Sequence, residues 1–208
     1  MAALLASGIA SAAEPGPVDA RLQAASLEIQ QTARWVGESG DNAGMPYALI
    51  DKVNARVFVF DATGHLRGTA AALLGMARGD GRIAGIGKQK MSAIRPAERT
   101  TPAGRFEVSL DHDIHGQEVL LIDYANSIAL HPVVKGTPAE RRAQRLDSET
   151  SDDNRISYGC INVPLKFYRE IVSPAFTRTN GIVYILPEKS KASTFFHTAA
   201  ALPKGRRL

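Results

Sequence analysis

The chain has 208 residues, of which 44% are hydrophobic and 22% charged, with 25 Lys and Arg against 21 Asp and Glu for a formal charge of +4. These proportions fit one globular domain with a short appendage and exclude collagen-like, coiled-coil and wholly disordered chains. The longest apolar run, Ala70 to Ala77, is far short of the roughly 20 residues of a membrane helix, and the charge excess is too diffuse for a nucleic-acid stripe.

Residues 1–13 carry no charge, and an apolar stretch from Ala2 to Ala10 runs into Ser11, Ala12 and Ala13. Small residues there read as a signal-peptidase site with cleavage after Ala13, although no Lys or Arg precedes Arg21 to form a basic leader. An exported protein of the periplasm or cell envelope is therefore expected. Asp19 to Val36 reads as one amphipathic helix, with Leu22, Ala25, Ile29, Ala33 and Val36 on one stripe and Asp19 as N-cap. Residues 14–46 thus form a helical segment and linker, which either packs on the domain that follows or stands apart from it.

From Tyr47 the pattern turns to strands. Ala55 to Phe60 is rich in β-branched and aromatic residues, Asp61-Ala62-Thr63-Gly64 is a turn signal, and Leu66 to Leu74 is expected to return as the hairpin partner. Phe106 to Leu110, Glu118 to Ile122, Ser127 to Leu130 and Gly181 to Leu186 read as further strands, and Pro164 to Val172 as a short helix with proline in its first turn. Residues 136–155 form a polar, charge-balanced connection, of the kind that is either a functional loop or a mobile decoration. Residues 188–208 read as a C-terminal tail ending in the basic Lys204 to Arg207. The fold class is mostly β (α+β).

One cysteine excludes an internal disulfide. Cys160 sits in Ser157-Tyr158-Gly159-Cys160-Ile161-Asn162. A lone cysteine is as readily a small core residue as a nucleophile. Gly159 permits an unusual backbone beside the sulfur, and Ser157 and Asn162 supply hydrogen-bonding groups around it. A thiol needs a base to ionise near neutral pH. His131, ending the run Ser127 to Leu130 before Pro132, is one candidate, and an exposed strand-end histidine is the plainer alternative. His112 and His115 read as part of a polar loop, and His65 and His197 as surface residues.

Three segments in order, Thr101-Pro102-Ala103-Gly104-Arg105-Phe106, Ile128-Ala129-Leu130-His131 and Ser157-Tyr158-Gly159-Cys160-Ile161-Asn162-Val163, resemble the signatures of the L,D-transpeptidase (YkuD-type) catalytic domain. The resemblance spans roughly residues 47–187 and implies an L,D-transpeptidase-like β-sandwich with one or two short helices. It implies a cysteine acyltransferase acting on peptidoglycan stem peptides. A thioester acyl-enzyme would pass its acyl group to a second stem in a 3→3 cross-link, or attach a protein to the wall. No metal or other cofactor is implied, carbapenems would acylate the same thiol, and a monomer is expected.

By the same resemblance Cys160 is the nucleophile and His131 the general base, oriented by the carbonyl of Pro132. The N–H groups of Gly159 and Cys160 would face the oxyanion, and Ser157 and Asn162 would brace the loop. Two features depart from the family. Tyr158 stands where histidine is usual, and would aid the oxyanion or line the cleft. His131 and Cys160 are separated by an unusually long stretch, which places residues 136–155 as an insertion or lid. Arg155 is a candidate for binding a stem-peptide carboxylate. Three other readings are an L,D-carboxypeptidase or amidase-type hydrolase using water as acceptor, a non-catalytic wall-binding domain, and, more distantly, a zinc hydrolase built on His112 and His115.

Overall fold

Continuous apolar runs mark strands that are covered on both faces, whereas alternation marks strands with one face in water. Both patterns occur in the computed structural model, which describes residues 19–200, with side chains described through residue 196. The expected signal segment and the basic Lys204 to Arg207 tail lie outside the described residues.

Two helices come first: α1 (Ala20–Gln23) and α2 (Leu27–Ser39). The single helix expected over Asp19 to Val36 is thus broken at Ala24 to Ser26. The Asp19 carboxylate caps α1 by accepting from the Arg21 amide, and Ser26 caps α2 by accepting from Ile29 N. Ser26 Oγ also donates to Asp51 Oδ2 at 2.6 Å, a tertiary bond that fixes where α2 begins.

The strands are β1 (Tyr47–Asp51), β2 (Arg56–Phe60), β3 (Leu66–Ala71), β4 (Leu74–Gly75), β5 (Gly104–His112), β6 (Glu118–Asp123), β7 (Ile128–Pro132), β8 (Arg155–Ser157), β9 (Ile161–Val163) and β10 (Gly181–Ile185). Eight of them form one sheet in the order β3-β2-β1-β10-β5-β6-β7-β9. The pairs β1–β10 and β7–β9 are parallel and the other five antiparallel. The expected return strand Leu66 to Leu74 ends early, because Leu74 and Gly75 leave the sheet to pair with β8. Between those two pieces, Leu73 exchanges both backbone hydrogen bonds with Asn162 in β9 (2.8 and 2.9 Å). The chain leaving one edge of the sheet therefore meets the opposite edge, and the sheet rolls over its own core. The mostly β, sandwich-like architecture follows from that roll.

Inside the roll, Val57, Val59, Ile50, Val183, Val108, Leu120, Leu130, Ile161 and Val163 form one buried cluster. Its open end is closed by a helical stretch made of α4 (Leu165–Phe167), a π-helical turn over Tyr168–Val172 and α5 (Ser173–Phe176). This extends beyond the helix expected from Pro164 to Val172, with Pro164 as its N-cap. Between β7 and β8 lies α3 (Arg142–Asp147), so the polar connection 136–155 is structured. The last element, α6 (Ala192–Ala200), replaces the first part of the expected tail.

The outer faces of β1, β2 and β10 are covered by α2 and α6. Tyr47 stacks on Phe60 at 4.6 Å between centroids, and Trp35 and Phe196 meet Tyr184 edge-on at 6.0 and 5.5 Å. Each fully buried side chain of this size contributes about 1.5–3 kcal/mol of transfer free energy. The apolar stripe of α2 (Ile29, Ala33, Val36) is spent on this face of the sheet.

Candidate active site

His131 lies on β7, and Cys160 directly precedes the adjacent strand β9. In the parallel register Leu130 pairs with Ile161 and His131 with Asn162. Leu130 and Ile161 are fully buried in the rolled core, so side-chain alternation turns Ala129, His131, Cys160 and Asn162 to the opposite face. Cys160 directly precedes the Ile161 that pairs with Leu130, and His131 directly follows that Leu130.

The turn between β8 and β9 sets the sulfur. Gly159 has φ +134°, and a Cβ there would press against the Thr100 carbonyl and Ile128 Cδ1, both 2.8 Å away, so only glycine fits. Ser157 Oγ accepts from the Gly159 amide at 3.0 Å and donates to the Cys160 carbonyl at 2.6 Å, bracing both sides of the turn. The Gly159 N–H expected at the oxyanion is therefore already used by Ser157. Thr101, fully buried, donates to the Gly159 carbonyl at 2.8 Å and accepts from Gly75 N at 2.9 Å.

Beneath Thr101 stands a residue that the sequence reading missed. Lys52 has its ammonium fully buried, donating to Gly79 O (2.6 Å), Asp80 Oδ1 (2.8 Å) and Thr101 O (3.0 Å). Burial pushes this ammonium below its ordinary value, against the pull of Asp80. Arg155 belongs to the same hub: its guanidinium pairs with Glu188 and donates to Lys52 O, and its side chain is 7% exposed. The expected role in binding a stem carboxylate is corrected accordingly, since Arg155 is committed to the interior.

On the imidazole, Nδ1 lies 2.8 Å from the Pro132 carbonyl, which only accepts. Nδ1 therefore carries the proton, and Nε2 is the acceptor. Nε2 meets Asn162 Nδ2 at 3.1 Å, and Asn162 Oδ1 accepts from Arg142 Nη1 at 3.0 Å. Arg142 comes from α3, inside the 136–155 segment, and no sequence pattern linked it to the histidine. The thiol donates to Ser127 O at 3.5 Å, and the Ala129 amide faces the sulfur.

Burial pushes the Cys160 thiol up, with the Ala129 amide opposing. Burial pulls the His131 imidazole down, and the charge on Arg142 adds to this, while the Pro132 carbonyl and the Asp113 carboxylate oppose. Both shifts favour the neutral forms, thiol and imidazole. Such a pair supports general-base activation of the thiol as substrate closes over it.

The remaining candidates are dispersed. Tyr158 is half-buried, with the Arg99 guanidinium 3.9 Å above its ring centroid and held there by two hydrogen bonds to Ile94 O. It therefore walls the turn as a stacked platform. His112 ends β5 opposite Glu118, and His65 is exposed on the β2–β3 turn. The side chain of His197 is outside those described. Among the described residues, no group of three or more His, Cys, Asp or Glu is placed to share a metal ion. No helix among them is long and apolar enough to cross a membrane.

No protein-family model matches the chain, and no curated protein matches it. Among solved structures it is similar to the NMR structure of the catalytic domain from E. faecium L,D-transpeptidase, at 17% identity and a TM-score of 0.37, over 67% of this chain and 95% of that one.

Proposed function

We propose that the chain is an exported cysteine acyltransferase acting on peptidoglycan stem peptides. The reading is supported by one observation: His131 lies on β7 beside β9, the strand that Cys160 directly precedes, with Nδ1 tied to Pro132 O and Nε2 accepting from Asn162. The substrate class comes from the motif resemblance in residues 101–106, 128–131 and 157–163.

In this reading Nε2 of His131 takes the thiol proton as Asn162 yields its hold, and the sulfur attacks the stem carbonyl. The tetrahedral oxyanion faces the Cys160 amide. Its collapse expels the terminal amino acid, which leaves with the proton from His131, and a thioester remains on Cys160. A stem amine then attacks the thioester, His131 accepts the amine's proton, and the thiol is regenerated. Ser157 and Thr101 hold the turn rigid, as catalytic preorganisation requires.

The test is mass spectrometry of muropeptides after incubation with the protein. Cross-linked dimers that vanish in Cys160→Ala support acyl transfer. Shortened monomers alone make water the acceptor and identify a hydrolase. Unchanged muropeptides from a folded protein would contradict enzyme activity on this substrate.

A further inference from the structure

The 136–155 segment reaches the histidine through two hydrogen bonds. Arg142 is held for this task. Its Nε donates to Glu140 Oε2 at 2.8 Å, and the same oxygen accepts from Thr137 N at 3.2 Å. Its side chain is only 11% exposed. Gly136 lies directly under the pair: a Cβ there would overlap Glu140 Oε2 and Arg142 Nε. Leu146, one turn along α3, anchors the segment against Leu73 and Ile156. The guanidinium is thus fixed before it meets Asn162.

An asparagine side chain offers an acceptor at one end and donors at the other, and either can face an imidazole. Arginine only donates, so the end that meets Arg142 must be Oδ1, and the amide nitrogen is turned to His131. We propose that Arg142 is a positioning residue for His131: by fixing the orientation of Asn162 it keeps the imidazole in its Nδ1–H form with Nε2 as proton acceptor. Without Arg142, Asn162 is free to turn and present Oδ1 to the ring. That oxygen favours a proton on Nε2, and the base is lost. Removal of the guanidinium charge acts in the same direction. The groups facing the ring are Asp113 from the β5–β6 turn, Asn162 from the strand alongside, and Arg142 with its partner Glu140 from the segment.

The orientation of Asn162 stands independently of the proposed activity, and only its catalytic consequence rests on the reading of His131 as base. The experiment uses the full chain with 15N-labelled histidine. Imidazole spectra across pH give the tautomer and titration of His131, and carbapenem acylation of Cys160 is timed at pH 6 and pH 8. In Arg142→Ala, His131 gains the Nε2–H form and titrates at higher pH than in the unaltered chain, and acylation falls several-fold more at pH 6 than at pH 8. Arg142→Lys restores both behaviours. Arg141→Asn removes the same charge from an exposed neighbour and leaves the tautomer in place. If Arg142→Ala does not fold, Arg142→Gln keeps a donor to Oδ1 without the charge, so the tautomer is retained while the titration rises. An unchanged tautomer and titration in folded Arg142→Ala, or a tautomer switch in Arg142→Gln, would overturn the proposal. Altered spectra without acylation in any variant, the unaltered chain included, would support the positioning role while contradicting His131 as base.

Discussion

The sheet has two outward-facing regions, and they are finished in opposite ways. Over β1, β2 and β10 the outer face is aromatic and sealed by α2 and α6, with Tyr47, Phe60 and Tyr184 almost wholly buried. Over β7 and β9 it carries Ala129, His131, Cys160 and Asn162, and the cover is a polar segment whose contact is the Arg142–Asn162 bond. The first region adds burial and stability. The second carries polar groups bonded to one another and to the backbone around them, on a rigid support. The two are joined by the Lys52–Asp80–Thr101 hub, which runs from the end of β1 to the Gly159 turn.

Truncation in the sealed region should affect stability most. Phe60→Ala removes a fully buried ring stacked on Tyr47, and a loss of about 3–5 kcal/mol is expected in denaturant unfolding. A loss below ~1 kcal/mol would mean that this face is not the stabilising half. In the joining hub, Lys52→Met leaves Asp80 and two backbone carbonyls without their cation, and should cost about 3 kcal/mol by the same measurement. Preserved stability would show that the hub is replaceable.

In the reactive region the signature is different. Gly159→Ala meets Thr100 O and Ile128 at φ +134° and should lower stability by about 1–3 kcal/mol, while the acylation rate falls by a larger factor than unfolding accounts for. Equal losses in both would reduce Gly159 to a packing residue.

The smallest effect is on pH dependence. Folded His131 binds its proton at lower pH than the unfolded chain does, so stability is complete above the ordinary value of 6.5 and declines as pH falls below it. For Cys160 the shift is upward, and stability declines as pH rises past the ordinary 9.0. Urea titrations from pH 5 to pH 10 should show both declines, and His131→Gln should flatten the acidic one. An acidic slope unchanged in that variant would contradict the burial of the imidazole.

Much of the sealed half was legible in sequence, because the runs in β2 and β10 are continuous, and β5 alternates. The three-residue strands β8 and β9 fall below any periodic signal, yet they flank the turn that holds Cys160. The helix break at Ser26 depends on a bond to Asp51, a partner 25 residues away. The stripe pattern runs straight through it. At the site, residue type left Cys160 and His131 open between structural and catalytic roles, and the motif resemblance singled them out together with Ser157 and Asn162. Lys52 and Arg142 did not, since an isolated lysine or arginine gains its meaning only from what the fold sets beside it. Arg155 misled for the same reason: in sequence it adjoins the cysteine motif, but its guanidinium turns inward to Glu188.

The proposed activity requires Cys160 to be an accessible nucleophile with His131 as its base. Intact-mass measurement after exposure to a carbapenem addresses both. One covalent adduct is expected on the unaltered chain, none on Cys160→Ala, strongly slowed formation on His131→Ala, and an unchanged rate on His112→Ala. A folded protein that takes up no adduct, or one that loses it equally in His131→Ala and His112→Ala, would contradict the account.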